Sequence, residues 1–376
     1  MFPRQHLEFM RVFNLLALLL ISFCPCFSSA RAGTGGFVIG WGDNFSGAAT
    51  GIRSFPLIDG KIVFTNSRYS TGSVMIAGEL LTNVIAVSAG NHLSSALKAD
   101  GTVVQWGFDV TRHSPIEPFF LSQTNGPVRL GGSEISNVVA LATGEGFALA
   151  LRQDGTELGW GKSPAPDGLS NVVAISAYSF AGLAINSDGT AVIWDTATGD
   201  ENRGKLFQIP DWTNVVAVAM GGGLNSTRIL ALKNDGTVAT LGNRVVDGSD
   251  QPPMKLTNIT AVATGASFSL VLRQDGTVFG WGDNTYGQTT GVASKGSSSG
   301  VVTINGQILT NVVSIAARDD CGFAIKADGT IVKWGMETRG LTPPSGLTGV
   351  VALALGNNYC LAITTNRSVA EVFRKK

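Results

Sequence analysis

A stretch at 82–107 reads TNVIAVSAGNHLSSALKADGTVVQWG, and its landmarks return in fixed register along most of the chain. A chain with a short internal period is assembled from copies of one unit, so the structure of the unit decides the fold. Residues 83–88 are a β-branched and aliphatic run ending in small residues, and 93–98 are a second apolar run. Asp100-Gly101 between 98 and 103 is the signal of a tight hairpin, in which glycine takes the positive φ that a Cβ would penalise. Residues 103–107 predict a third strand closing on Trp106-Gly107, which leaves turns too short for a helix. The first two strands are almost wholly apolar and the third is mixed, so the unit has two faces to bury and needs a neighbour on each side.

The same register recurs at 136–161, 170–195, 257–282, 310–335 and 348–373, and at 213–242 with four extra residues in the first turn, which makes seven copies. The turn glycine returns as Gly155, Gly189, Gly236, Gly276 and Gly329, and the closing tryptophan as Trp160, Trp194, Trp281 and Trp334. A fragment at 37–44, with Trp41, stands before all the copies and matches only a closing strand. The last copy has Asn366-Arg367-Ser368 where the turn should be, and no tryptophan. Together the two ends predict one composite blade that closes a ring, because an open solenoid has no use for a spare strand at the far end. The expected fold is therefore all-β: a seven-bladed β-propeller over 33–376, three strands to a blade and a fourth where a connecting segment supplies one. Segments 78–83, 132–137 and 306–311, with the residues just before them, are the expected extra strands, and the Ser- and Gly-rich 295–300 is expected to be a mobile tip.

The recurring Asn-Val-Val-Ala, Gly-rich turn, Leu-Ala-Leu-like strand, Asp-Gly-Thr and Trp-Gly pattern resembles the regulator of chromosome condensation repeat. In its short form it is similar to secreted bacterial propellers that include a β-lactamase inhibitor. The resemblance covers essentially everything after residue 36 and implies the propeller fold. Relatives of this kind include an exchange factor, light receptors and enzyme inhibitors, so the resemblance carries no site residues with it.

Arg4 and Arg11 precede an apolar run at 12–23, which is followed by Ala30-Arg31-Ala32. This order predicts a secretory signal peptide at 1–32, the alternative being a retained anchor of marginal length. The mature chain would then be a soluble, exported monomer, secreted, periplasmic or on the cell surface, with no membrane segment. Loss of three arginines and Glu8 with the leader shifts the formal net charge from zero to about minus two. Nucleic-acid binding would call for clustered Lys and Arg, so no nucleic-acid partner is expected. Cys321 and Cys360 remain, at similar heights in consecutive copies; they are either a disulfide or two small buried residues.

No catalytic constellation and no metal or cofactor motif is visible. His92 and His113 have no ligand-spaced Glu or His, and the glycine pairs belong to β turns rather than to phosphate loops. The Asp of each Asp-Gly is read as a turn former and the tryptophans as blade packing, since both recur at one structural position. What varies between copies lies on the face formed by the first turns and by the segments that follow Trp-Gly. The candidate binding residues there are His92, Phe108, Arg112, His113, Phe147, Tyr178, Phe180, Tyr286, Asp319, Asp320 and Tyr359. The expected function is a module that binds a protein or surface polymer through this face, an enzyme inhibitor being one form of it. A structural surface component and an enzyme sited at the channel mouth are the alternatives.

Overall fold

Each copy begins on a residue in the left-handed region. Asn83, Asn137, Asn171, Asn214, Asn258 and Asn311 have φ of 55–61°, and Gly349 takes the place in the last copy. Asparagine tolerates this conformation better than other residues with a Cβ. Its carbonyl accepts from the hairpin turn of its own blade, as in Ala99 N to Asn83 O at 2.8 Å. The structure, a computed structural model, describes residues 35–52, 57–58, 61–62, 69–108, 123–161, 165–166, 169–195, 205–208, 212–223, 226–242, 251–338 and 340–374. The expected signal peptide, Arg112 and His113 lie outside the described residues.

Seven antiparallel sheets follow. The first blade is Val84–Ala89, Leu93–Lys98, Val103–Phe108 and Gln123–Pro127, and the second is Val138–Thr143, Phe147–Arg152 and Glu157–Gly161. The third is Val172–Tyr178, Ala181–Asn186, Thr190–Asp195 and Lys205–Gln208, and the fourth is Val215–Gly223, Ser226–Lys233 and Val238–Gly242. Ile259–Thr264, Phe268–Arg273, Val278–Asp283 and Ser297–Val301 form the fifth; Val312–Arg318, Cys321–Lys326 and Ile331–Gly335 form the sixth. The seventh joins the two ends of the chain: Val350–Gly356 and Tyr359–Thr364 are followed across the sheet by Phe37–Asp43 and then Tyr69–Ser73. Phe37 pairs with Thr364, and the register runs to Gly42 with Tyr359. The first strands pack each on the next, and Val350–Gly356 packs on Val84–Ala89, which completes the circuit.

Two sets of contacts stitch neighbouring blades. On one end, the glycine of four Asp-Gly turns offers its carbonyl to the first strand of the next blade: Val138 N to Gly101 O at 3.1 Å, Val172 N to Gly155 O at 3.0 Å, Ile259 N to Gly236 O at 3.0 Å and Val312 N to Gly276 O at 3.1 Å. Gly36 does this for the closing blade, exchanging two bonds with Val84 at 2.8 and 3.1 Å. At the other end four of the tryptophans reach back to the preceding blade or its loop. Trp106 Nε1 donates to Ala48 O (2.8 Å), Trp160 Nε1 to Gln105 Oε1 (2.6 Å), Trp334 Nε1 to Gln288 O (2.9 Å) and Trp41 Nε1 to Leu341 O (3.2 Å). All six tryptophans of the repeat are buried, as packing residues should be.

The residues that begin the second strands also meet between blades. Tyr359 of the seventh blade bonds Ser94 of the first (Oη to Oγ, 2.9 Å), and Arg228 of the fourth bonds Ser269 of the fifth (Nη1 to Oγ, 3.3 Å). Cys321 of the sixth blade and Cys360 of the seventh share one buried cluster. Both cysteines are buried free thiols, and burial pushes both above the ordinary thiol range.

Three expectations need correction. The segment after Tyr359–Thr364 is not a degenerate strand: the third place in that sheet is already filled by Phe37–Asp43, and Arg367–Arg374 forms a helix. Asn366 caps it, its Oδ1 accepting from Val369 N at 3.3 Å, and Ala370 and Phe373 are buried beneath. The fourth strands lie upstream of the expected segments, at Tyr69–Ser73, Gln123–Pro127 and Ser297–Val301. The expected segments fold instead as two-residue ribbons, Met75–Ile76 with Glu79–Leu80, Arg129–Leu130 with Ser133–Glu134, and Thr303–Ile304 with Gln307–Ile308. Most of 295–300 is likewise a strand rather than a tip, paired from Ser297 with Asp283 to Val301 with Phe279.

Candidate binding face

The face is built on the turns that follow the first strands. In five copies the turn opens with glycine: Gly90, Gly144, Gly221, Gly265 and Gly356. A Cβ at Gly90 or Gly221 would overlap the turn carbonyl of the next blade, and one at Gly144, Gly265 or Gly356 would overlap the ring of Phe147, Phe268 or Tyr359. These aromatics fold back over the glycine of their own turn. This overturns two of the expected binding residues: Phe147 and Tyr359 are 0% and 1% exposed and belong to the interior. The Tyr359 hydroxyl bonds Ser94 Oγ and donates to Leu93 O at 2.8 Å; burial pushes its pKa well up.

The third and sixth copies depart from the glycine rule. Tyr178 and Arg318 occupy the position, and the second strands start on the small residues Ala181 and Cys321, which leaves room for a side chain. Both hairpins are two-residue turns with Ser179 and Asp319 at φ 48°. The two exceptions meet. Tyr178 Oη donates to Asp319 Oδ1 at 3.1 Å, and the Arg318 guanidinium stands 5.2 Å from the centre of the Tyr178 ring. Arg318 Nη1 also reaches Leu355 O at 3.3 Å and Ala89 O at 3.5 Å. Around them the turns are chained to one another: Glu145 N to Ser179 O, Ala266 N to Asp319 O (2.8 Å) and Asn357 N to Gly90 O (3.1 Å).

Beside this centre, the loop after Val278–Asp283 forms an acidic, partly apolar shoulder. Asn284 organises the loop, its Oδ1 accepting from Thr289 N (3.0 Å) and Thr290 N (3.2 Å) and its Nδ2 donating to Val292 O (2.8 Å). Asn44 holds the matching loop after Phe37–Asp43 in the same way, through Ala49 N (2.9 Å) and Thr50 N (3.1 Å). Buried Gln288 donates from Nε2 to Asp283 Oδ2 at 3.3 Å and to Asp320 Oδ1 at 3.4 Å. Partial burial, then the neighbouring charges of Asp283 and Asp319, raise the Asp320 carboxyl above its ordinary range. Tyr286 is 48% exposed and Met336 39%.

Of the expected residues, the structure therefore brings Tyr178, Asp319 and Asp320 together and leaves Tyr286 exposed on the neighbouring loop. Phe180 is half-buried in the turn beside Tyr178. His92 lies in the first blade, its carbonyl accepting from Ser46 Oγ at 3.2 Å, and Phe108 ends the strand Val103–Phe108. Arg318, Gln288 and Met336 were missed. Arg318 carries a visible signal, a cation in a column of glycines; Gln288 and Met336 lie outside the repeat and carry none.

Comparison with known proteins agrees with this architecture. The Regulator of chromosome condensation (RCC1) repeat matches residues 259–288, the heart of the fifth blade. Prp20p from Saccharomyces cerevisiae, a protein with binding properties to Gsp1p and histones, superposes with a TM-score of 0.64 at 13% identity, over 94% of this chain and 95% of that one. A chain in the structure of Kap60 bound to yeast RCC1 (Prp20) gives 0.60 at 15% identity over 90% and 91%, and human WBSCR16 gives 0.61 at 18% over 88% and 99%. In sequence, Protein pim1 of Schizosaccharomyces pombe is 36% identical over 87 residues, 22% of this chain and 16% of that protein. The Rho GTPase-activating protein gacGG of Dictyostelium discoideum is 29% identical over 122 residues, 30% of this chain and 10% of that protein. The chain thus matches less than a fifth of either curated relative. The class is a β-propeller of repeated three- and four-stranded blades. Within that class the chain carries an RCC1-type repeat at 259–288 and shares the fold of the RCC1-like propellers.

Proposed function

We propose that this propeller is a protein-binding module whose contact surface is the face carrying the first turns. The observation that carries the reading is the shoulder of exposed Tyr286 and Met336 beside Asp283, Asp319 and Asp320, mounted on a ring whose loops are held by buried asparagines and glutamine. Aromatic and Met side chains next to polar groups on a rigid frame are the usual material of a contact surface. Structural neighbours with the same fold include proteins seen with, or binding to, protein partners, which supports the class of function and not a partner's identity. Export, a surface-polymer ligand and inhibition of a secreted enzyme are narrower forms of the reading, and they rest on the sequence alone. So does the expectation that nucleic acid is not a partner.

An enzyme at the mouth of the channel is the reading that the geometry disfavours on this face. Tyr178 and Arg318 stand in that place, with Tyr178 Oη engaged by Asp319 and Arg318 Nη1 by main-chain carbonyls. A photocrosslinking residue in place of Tyr286 tests the binding reading, with the same residue in place of Met254 as the control; Met254 is 53% exposed and lies beside the Asp-Gly turn end of the fifth blade. Adducts formed only from position 286, and lost in Met336→Ala, are the expected outcome. Equal labelling from both positions would remove the assignment to this face.

A further inference from the structure

We infer that Tyr178, Arg318 and Asp319 form a strut across the ring that shuts the channel mouth on the turn-bearing face and makes four blades move as one. A propeller's blades normally touch only the blades before and after them, so contacts between non-neighbours need a reason. Here the third blade meets the sixth through Tyr178 Oη to Asp319 Oδ1 and through the Arg318 guanidinium over the Tyr178 ring. Arg318 continues to the main chain of the seventh blade at Leu355 and of the first at Ala89. In a ring of seven, a blade three places away lies as nearly opposite as the symmetry permits.

The sequence is arranged to allow this and little else at these positions. Five copies exclude any side chain at the start of the turn, because a Cβ would overlap a neighbouring carbonyl or the copy's own aromatic ring. The two copies that admit one carry the largest pairing available there, a phenol and a guanidinium, and each begins its second strand on a small residue that makes the space. The strut ends also adjoin the bonds that chain the turns. Ser179 accepts from Glu145 N, Asp319 from Ala266 N, and Gly90, next to Ala89, from Asn357 N. Loosening one end should therefore be felt at amides on blades that the altered residue does not touch along its own sheet.

Hydrogen–deuterium exchange of those three amides tests the strut, with the Gly276 amide, which bonds Arg273 O in an Asp-Gly turn on the other end of the fifth blade, as reference. Arg318→Gly and Tyr178→Gly install the residue that the other copies use; Arg318→Met keeps the volume and removes the donors. Arg318→Gly and Arg318→Met should speed exchange at Glu145 and Asn357, as well as at Ala266, by about tenfold relative to Gly276. Tyr178→Gly should do the same at Ala266, on the far side of the ring, and the double variant should go no further than the singles, as coupled residues require. Faster exchange confined to the amide beside the altered turn, or single effects that simply add, would overturn the proposal. A general rise that includes Gly276 would do so too, since it would mean loss of the fold rather than release of a strut.

Discussion

Glu157 occupies a position where the other copies carry Val103, Ala191, Val238, Val278 or Ile331. Neither of its carboxylate oxygens has a hydrogen-bond partner among the described residues, and burial pushes its pKa from 4.5 up to about 8. An unfolded chain releases this proton at the lower value and the folded chain holds it to the higher one. Between the two, the folded state binds the extra proton, so stability falls as pH rises from 4.5 to 8 and then levels off. Glu157→Val should remove that slope and stabilise the protein near pH 8 by roughly 1–3 kcal/mol, the usual cost of an unsatisfied buried polar group. Urea midpoints at pH 5 and pH 8.5 for the two proteins would show it; parallel midpoints would mean that the carboxyl is solvated. Tyr359 makes the opposite case. Tyr359→Phe keeps the ring over Gly356 and loses the bonds to Ser94 and Leu93, and a loss of about 1–2 kcal/mol in the same measurement is expected.

At the scale of the element, the hairpins were legible because one chemical device repeats in them. In six copies the Asp carboxylate accepts from both the amide and the hydroxyl of the Thr two residues on, as in Asp275 with Thr277 N at 2.9 Å and Thr277 Oγ1 at 2.6 Å. Those bonds, the hydroxyl's first, hold the six carboxyls below their ordinary range. The stabilisation they give is complete above the unfolded value of 3.8 and is lost as pH falls through the lower folded values, so acid should weaken the turns together. The closing tryptophans were legible for the same reason, and Trp106→Ala should cost on the order of 3–5 kcal/mol in a thermal or urea melt. The fourth strands and the C-terminal helix were not legible. They lie where the repeat lapses, and a strand such as Ser297–Val301 is formed by its partner's edge rather than by any preference of its Ser and Gly residues. Two of the proposed face residues failed for a related reason: Phe147 and Tyr359 vary between copies, but each ring folds inward over the glycine of its own turn.

For the whole molecule, the decisive element is Phe37–Asp43, which gives the closing blade its third strand. Ile39 and Trp41 within it are 0% and 1% exposed. Removing this strand should cost more than about 5 kcal/mol, comparable with the whole margin of a typical domain. The expected result is loss of a cooperative melt, and an unchanged melting temperature would sink the closure. That closure was legible from two incomplete ends, while the candidate contact surface could be marked out only as a face, because loops outside the repeat offer no second copy to compare. The side-chain bonds between particular blades carry a consequence for any attempt to rebuild this ring. Tyr359 reaches Ser94, Arg228 reaches Ser269 and Trp160 reaches Gln105, so the bond across each of these junctions depends on which blade stands beside which. The seven units share one pattern, yet they are not interchangeable parts. Excising one blade or shuffling their order would break such bonds at the junctions that hold them, and the order of the blades is itself written into the interior.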